Sequence, residues 1–304
     1  GVLADWNREY RTMDPDYEAV ILRTFAEFVD KGFVYRSKKP VYWSIPCRTA
    51  LAEAEVEYQD HVSPAIHVKF PLRKSGGFNA GENAFLVIWT TTPWTIPANL
   101  AIAVNPRETY VEMKFEGNSF WVGASLAAKF AESCGLENHE LGRELPGESL
   151  VGWVSRHPFI DRDSPVVAAD YVTMDAGTGC VHTAPGHGLD DYLTGLANGM
   201  DIYCPLDDAG RYLDDGQVPA SLVGLSVLEK KKGCEANEGV LALLRDNDAL
   251  LHLEHHSHQY PHCWRSKTPV VFRAMDQWFV SLDKDEIRNA GLGSLDEVAF
   301  TPEW

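Results

Sequence analysis

Two turn-rich segments, WTTTPWTIPANLAIAVNP (Trp89 to Pro106) and GTGCVHTAPGHGLDDY (Gly177 to Tyr192), constrain this chain more than any other feature. Each crowds hydroxyls, an imidazole or carboxylates around Gly and Pro turns, next to apolar strand-like runs. Turns carried on a rigid sheet are where a polar pocket is built at little cost to the core. Two such segments, far apart in sequence, point to one site assembled from both.

The rest of the chain is compatible with such a site. Its 304 residues are enough for a large core and more than one structural unit. A hydrophobic fraction of 45% and a charged fraction of 23% are ordinary for a globular protein. No apolar run approaches the roughly 20 residues that span a membrane. The opening residues GVLADWNREY carry charges of both signs and no apolar stretch, so they are not read as a signal peptide. Lacking an initiator Met, the chain is read as a piece of something larger. Lys plus Arg number 27 against 44 Asp plus Glu, a net charge of −17. That argues against a stand-alone nucleic-acid binder and leaves open a local basic groove, or a module held against nucleic acid by the rest of a protein. The six Cys form no C-x-x-C pair and are read as reduced intracellular thiols rather than a disulfide framework.

Along the chain, Asp14-Pro15 opens a helix with Val20, Ile21, Phe25, Phe28 and Val29 as its apolar stripe and Gly32 as its stop, Asp14 capping the first amides. KKPVYWSIPCRTALAEAEVEYQD reads as strand, turn and strand. From about Ser63 to Leu253 short strands alternate with turn signals. Ala84 to Trp89 is a continuous apolar run of the kind a doubly covered strand shows. Tyr110 to Phe115, Glu116-Gly117-Asn118 and Ser119 to Val122 read as a hairpin. Ser125 to Cys134 is a short helix closed by Gly135, and further strands are expected at Pro165 to Thr173 and Cys180 to Ala184. A helix begins near Asp190, and Leu222 to Asp246 holds one or two more. The expected units are a flank over 1–60, a central domain over 61–253 and a returning flank over 254–304. If the flanks pack together, the centre is an insertion.

Thr90, Thr91 and Thr92 stand at a strand end before Pro93, which ends the ladder and frees backbone groups. Three hydroxyls there suit the orientation of a water or a substrate hydroxyl. None has a neighbouring base in sequence that would make it a nucleophile. The alternative is that Thr is simply a good strand former. In the second segment, Asp190 is in register to cap the helix, which leaves Asp191 to point into a cleft and hold a cation such as an α-ammonium group. A metal held by His182, His187 and Asp191 matches no familiar ligand spacing, and a phosphate loop lacks its lysine. A satisfied structural His beside a capped helix stays open. His255, His256, His258, His262 and Cys263, with Cys47 from afar, suggest zinc, against the plainer reading of a polar surface strand followed by a Tyr-Pro turn. Lys230-Lys231-Lys232 reads as a solvated helix face, or more weakly as an anion contact.

These words, with GVLADWNREYRTMDPDYE, KPVYWSIPCRTALAEAEVEY and YPHCWRSKTPVVFRAMDQWF, make the chain resemble the isoleucyl-tRNA synthetase family, over its inserted editing domain and the flanks. TTTPWT and APGHGLDD fit the isoleucyl type, where the valyl and leucyl relatives look like TTRPET or TTRPDT with PAHD. The HIGH-like and KMSKS-like activation motifs do not occur, so no aminoacyl-adenylate is expected. ATP and Mg²⁺ belong to the parent enzyme only. The resemblance implies an α+β fold: a β-barrel-like editing domain of short mixed strands with peripheral helices, flanked by two small terminal segments. It implies hydrolysis of the ester joining valine to the 3′ terminal adenosine of tRNA for isoleucine, in a monomeric cytoplasmic protein whose partners are that tRNA and the remainder of the synthetase, with no membrane role. By position, Asp191 would hold the ammonium, Thr90, Thr91 and Thr92 would orient the ribose and the attacking water, and His182 would join them in the catalytic set. Trp94 and His182 would shape the side-chain sieve and exclude isoleucine, and Thr183 would join Trp94, Asp191 and His182 in binding the substrate. The alternative is a non-catalytic tRNA-binding or docking module, and a further one is a zinc-dependent hydrolase. Relatives often carry C-x-x-C in both flanks. Here Ser44-Ile45-Pro46-Cys47 and Cys263-Trp264-Arg265-Ser266 keep one Cys each, so no zinc is expected unless nearby His residues substitute.

Overall fold

A 19-residue strand, Val56–Lys74, is the spine on which the molecule is built. The structure is a computed structural model that describes residues 5–7, 9–77, 83–229 and 233–301. In chain order its helices and strands are α1 (Pro15–Asp30), β1 (Val34–Ser44), β2 (Thr49–Leu51), β3 (Val56–Lys74), β4 (Ala84–Thr90), β5 (Ala101–Val104), β6 (Thr109–Phe115), β7 (Asn118–Gly123), α2 (Ala127–Cys134), β8 (Glu140–Pro146), β9 (Val154–Arg156), β10 (Asp163–Ala168), β11 (Cys180–Thr183), α3 (Leu189–Ala197), α4 (Glu235–Asp246), β12 (Leu250–Cys263), β13 (Val271–Val280) and α5 (Ile287–Ser294). The large sheet runs β11-β5-β10-β9-β3-β4-β7-β6-β8, with β12 paired to β3 off this path. It is mixed, since β10 joins β5 and β4 joins β7 in parallel while the other pairs are antiparallel. Among the described residues its path does not close, so the barrel-like expectation becomes an open mixed sheet in an α+β fold.

Alternation along the strands divides the core. Ile66, Val68 and Phe70 of β3 and Leu86 and Ile88 of β4 face one cluster, roofed by Val240, Leu241 and Leu244 of α4. Val87, between them, faces the other side with Val111, Phe120 and Phe130 of α2. Both faces of β4 are covered, which is why its sequence reads as a continuous apolar run. Each such fully buried side chain contributes roughly 1.5–3 kcal/mol relative to exposure.

The chain separates into two compact units, residues 1–38 with 276–304, and residues 39–275. The joints expected at 60/61 and 253/254 fall inside β3 and β12, which pair with each other from Val56↔Cys263 to Val68↔Leu250. The strands are therefore not all short. Pro64 and Pro261 lie within this ribbon, and the turn expected at Tyr260-Pro261 is strand, with Pro261 opposite Tyr58. α1 forms where expected and Gly32 follows it at a φ of +69°. Asp14 is extended at its cap, but its side chain makes no capping bond, and the Val20, Ile21 and Phe25 stripe is exposed. β10 ends at Ala168, five residues short of the expected strand. Among the described residues of the Leu222 to Asp246 region, one α-helix, α4, is present. Lys230-Lys231-Lys232 lies outside the described residues. No described helix is long and apolar enough to cross a membrane.

Candidate active site

The two segments meet, beginning at their first residues. Gly177 has a φ of +74°, open to glycine and costly for other residues, and a Cβ placed on it would lie 3.1 Å from the Trp89 side chain. A bare backbone at 177 lets the second segment close onto the end of β4. β11 then pairs with β5, placing His182 opposite Ile102 and Thr183 opposite Ala101.

β4 ends at Thr90, three residues before Pro93. The buried Thr90 hydroxyl accepts the Thr92 N–H at 3.1 Å and lies 3.2 Å from the Thr92 hydroxyl. Pro93–Ala98 then forms a 3₁₀ turn, a shape that its two prolines favour. The turn carries Thr95 back over the threonine run, where its hydroxyl donates to the Thr92 carbonyl at 2.8 Å. The same oxygen lies 2.8 Å from His182 Nε2. Asn99 Nδ2 lies 3.5 Å from His182 Nδ1. Since the Thr95 proton is committed to a carbonyl, Nε2–H donates to Thr95 and Nδ1 accepts from Asn99, which fixes one neutral tautomer. Both ring nitrogens are occupied, which leaves His182 no free lone pair for a proton. Thr95 and Asn99 are site residues that inspection of the sequence did not single out. Their signal was the Pro93 and Pro97 spacing, which tightens the turn and brings 95 and 99 back to the threonines.

Trp94, buried, meets His187 edge to face with ring centroids 5.1 Å apart. The His187 Nδ1–H donates to the Phe272 carbonyl at 3.0 Å. The helix after the second turn starts one residue earlier than expected, with Gly188 rather than Asp190 at its cap. Asp190 is thus in the first turn and points to solvent. Asp191 folds back, its carboxylate accepting the Ala184 N–H at 3.2 Å and facing the Tyr171 hydroxyl at 3.5 Å. Gly188 permits this, because a Cβ there would come within 3.0 Å of the Asp191 carboxylate. Asp191 is half-buried and keeps lone pairs for a further donor. Thr183 is fully buried in β11 and its carbonyl accepts the Leu100 N–H at 2.9 Å. Thr91 and Thr92 are half-buried and line a cavity with Trp94 and Asn237.

The electrostatics separate these groups. Burial, with the neighbouring His187, pulls His182 down to about 4, so it is neutral near pH 7. Burial acts oppositely on Asp191, pushing its carboxyl up to about 6 against the Ala184 amide and His187, which favour the charged form. A cationic ligand would restore full ionisation. His187 is held above its usual value: burial pulls it down, but the Cys204 thiol beside it and the Phe272 carbonyl outweigh that.

Neither metal reading is supported by the donors. Among the described residues no group of three or more His, Cys, Asp or Glu side chains is arranged to hold an ion. The His row of β12 is engaged otherwise, with His258 Nε2 2.9 Å from the Ser63 hydroxyl, His262 Nδ1 bonded to the Tyr260 carbonyl, and His61 of β3 against Glu229 at 3.0 Å. Where the family's zinc would need two more thiolates, Ser44 Oγ lies 3.4 Å from Ser266 Oγ, which is 2.9 Å from Thr268 Oγ1. Cys263 Sγ accepts the Ser266 N–H at 3.5 Å. Neutral hydroxyls bonded to one another are a poor zinc set.

Fold and site together define a class. The model for "tRNA synthetases class I (I, L, M and V)" matches residues 1–304, and the chain belongs to that family. Within it, the chain is 49% identical over 309 residues to the isoleucine–tRNA ligase of Nitratidesulfovibrio vulgaris (strain DSM 19637 / Miyazaki F). It is 46% identical over 304 residues to the isoleucine–tRNA ligase of Fervidobacterium pennivorans (strain DSM 9078 / Ven5). Both matches cover 100% of this chain and 32% of the relative, so the chain spans about a third of those proteins. A solved structure described as "The crystal structure of GlLeuRS-CP1" aligns with 18% identity and a TM-score of 0.37, over 60% of this chain and 81% of that one.

Proposed function

We propose that the chain is the editing module of an isoleucyl-tRNA synthetase and hydrolyses the ester of valine mischarged onto tRNA for isoleucine. The observation that carries this reading is the meeting of Thr92, Thr95 and His182 in one hydrogen-bonded set, with Asp191 on the adjoining segment. A half-buried carboxylate for a cation and hydroxyls for a water, with no base placed to make a threonine a nucleophile, suit the hydrolysis of an aminoacyl ester.

In this reading Asp191 receives the α-ammonium of the aminoacyl group, and Thr90, Thr91 and Thr92 hold the terminal ribose and the attacking water. Water adds to the ester carbonyl, and collapse of the tetrahedral intermediate expels a ribose oxygen, which takes up the proton the water loses. Free valine and intact tRNA result. No side chain forms a bond to substrate, so the rate gain comes from positioning. Trp94 and His182 form the wall that admits valine and excludes isoleucine, with the buried Thr183 behind them in β11. Such a site has a physical reason: one methylene is worth only about 1–3 kcal/mol in a hydrophobic pocket, a limit for which isoleucyl-tRNA synthetase is itself the usual illustration. Steric exclusion from a second, smaller pocket is the stronger discriminator. The working partners are then tRNA and the remainder of the synthetase, in the cytoplasm, with ATP and Mg²⁺ used only outside this chain. The test is deacylation of valyl- against isoleucyl-tRNA for isoleucine. Faster hydrolysis of the valyl ester is expected, and equal rates would reject the sieve. Binding of tRNA without hydrolysis of either ester would favour the docking alternative.

A further inference from the structure

Trp94 is held at both ends of its backbone by side chains from outside the two motif segments. Its N–H donates to Asn237 Oδ1 at 3.0 Å, and its carbonyl accepts the Tyr212 hydroxyl. Asn237 lies in the first turn of α4, 143 residues away, and Tyr212 is 118 residues away. Both are buried. The turn needs this help, because Pro93 and Pro97 have no N–H to give. Near the start of a helical turn the Trp94 amide also lacks a partner within the turn. The Thr92 hydroxyl, the natural capping group, is already beside Thr90 and Thr95.

We propose that Asn237 and Tyr212 are positioning residues that set the selectivity of the site by fixing the peptide of Trp94. Two bonds on opposite sides of one residue fix the direction of its Cα–Cβ bond, and hence where the indole stands. The indole in turn sits edge to face on His187, and Trp94 is among the residues that line the cavity beside Thr91 and Thr92. Losing either bond frees the peptide to rotate and moves the wall. This inference rests on the editing reading, in which Trp94 is part of the sieve.

The test compares Asn237→Leu, which removes the acceptor at similar volume, with Asn237→Asp, which keeps an oxygen acceptor whichever way the amide is oriented. Each is assayed in the 304-residue chain for kcat and KM on valyl- and isoleucyl-tRNA for isoleucine, alongside thermal unfolding. Asn237→Leu is expected to lower the valyl-to-isoleucyl ratio of kcat/KM about tenfold, and Asn237→Asp to change it less than about threefold. Tyr212→Phe removes a single hydroxyl, is expected to lower the ratio in the same direction, and decides the matter if Asn237→Leu does not fold. An unchanged ratio in folded Asn237→Leu or in Tyr212→Phe overturns the inference, as does an equal loss in Asn237→Asp and Asn237→Leu. No hydrolysis of either ester by the unsubstituted chain overturns the editing reading and this inference with it. Hydrolysis with selectivity insensitive to these variants overturns this inference alone.

Discussion

Thr95 Oγ1 lies 2.8 Å from His182 Nε2, and this contact ties the turn after β4 to strand β11. Both side chains are buried, at 5% and 6% exposure, so neither has water to replace a lost partner. His182→Ala removes one bond each from the Thr95 hydroxyl and the Asn99 amide, which keep the Thr92 and Ala101 carbonyls, and leaves a buried cavity, at a combined cost of about 1–3 kcal/mol. The variant should unfold several degrees lower by calorimetry and hydrolyse valyl-tRNA more slowly. A melting temperature and rate equal to the parent's would show that the contact fixes nothing.

Acid should destabilise the fold before carboxylates in general titrate. Burial holds His67 at about 4, His157 at about 3 and His182 at about 4, below the usual histidine value of 6.5. The unfolded chain takes up these protons near pH 6.5 and the folded chain does not. Their stabilisation is therefore complete above pH 6.5 and is lost as pH falls toward 4 and 3. Asp191, raised to about 6, and His187, held above 6.5, have the opposite sign, but His187 acts above pH 6.5 and Asp191 alone opposes the three histidines below it, between 3.8 and 6. The melting temperature should fall steadily from pH 7 to pH 4.5. His157→Gln, whose amide can still donate to the Ile96 carbonyl, should flatten that slope. A profile that is flat in the parent would contradict the burial of neutral imidazoles.

Asp191 gives stability and activity opposite trends. Its carboxyl, raised to about 6 by burial, is mostly charged at pH 7 and mostly protonated at pH 5. A protonated acid does not hold an ammonium group, so kcat/KM for valyl-tRNA should rise about tenfold from pH 5 to pH 6.5 and then level off. Because folding disfavours the charged form, Asp191→Asn should melt at a higher temperature than the parent at pH 7.5, yet be inactive. Its amide oxygen still accepts the Ala184 N–H. An Asp191→Asn protein that retains hydrolysis would remove the ammonium anchor from the mechanism.

What could be read in advance follows from how local each signal is. β4 was legible because both of its faces are apolar, and Gly135 marked the end of α2 by its left-handed φ of +64°. Thr90, Thr91, Thr92 and Asp191 could be singled out as candidates because their hydroxyls and carboxylates are concentrated in two short segments. Pro64 and Pro261 hid the length of β3 and β12, since a proline without an N–H reads as a break even where the partner strand continues past it. The α3 cap was misplaced by two residues because Asp190 looks the better cap in sequence, while the space made by Gly188 lets Asp191 fold back. Asn237 and Tyr212 carry no local mark, since their function exists only where the chain returns to Trp94.

The turn joining β1 and β2 and the one after β12 offer the last prediction. Two thiolates on a tetrahedral zinc with bonds of about 2.3 Å stand about 3.8 Å apart. Ser44 Oγ and Ser266 Oγ are already 3.4 Å apart. Cys263 is buried next to them, and Cys47 packs on the same small cluster. The parent chain, with two thiols and hydroxyls bonded to each other, should carry no stoichiometric zinc and should be indifferent to a chelator. Ser44→Cys with Ser266→Cys should bind about one zinc per chain and gain thermal stability that the chelator removes. Hydrolysis should be the same in both proteins, because no group at the Thr95–His182 site belongs to this cluster. One zinc per chain in the purified parent, or none in the double variant, would show that the backbone of these turns is not arranged as their sequences suggest.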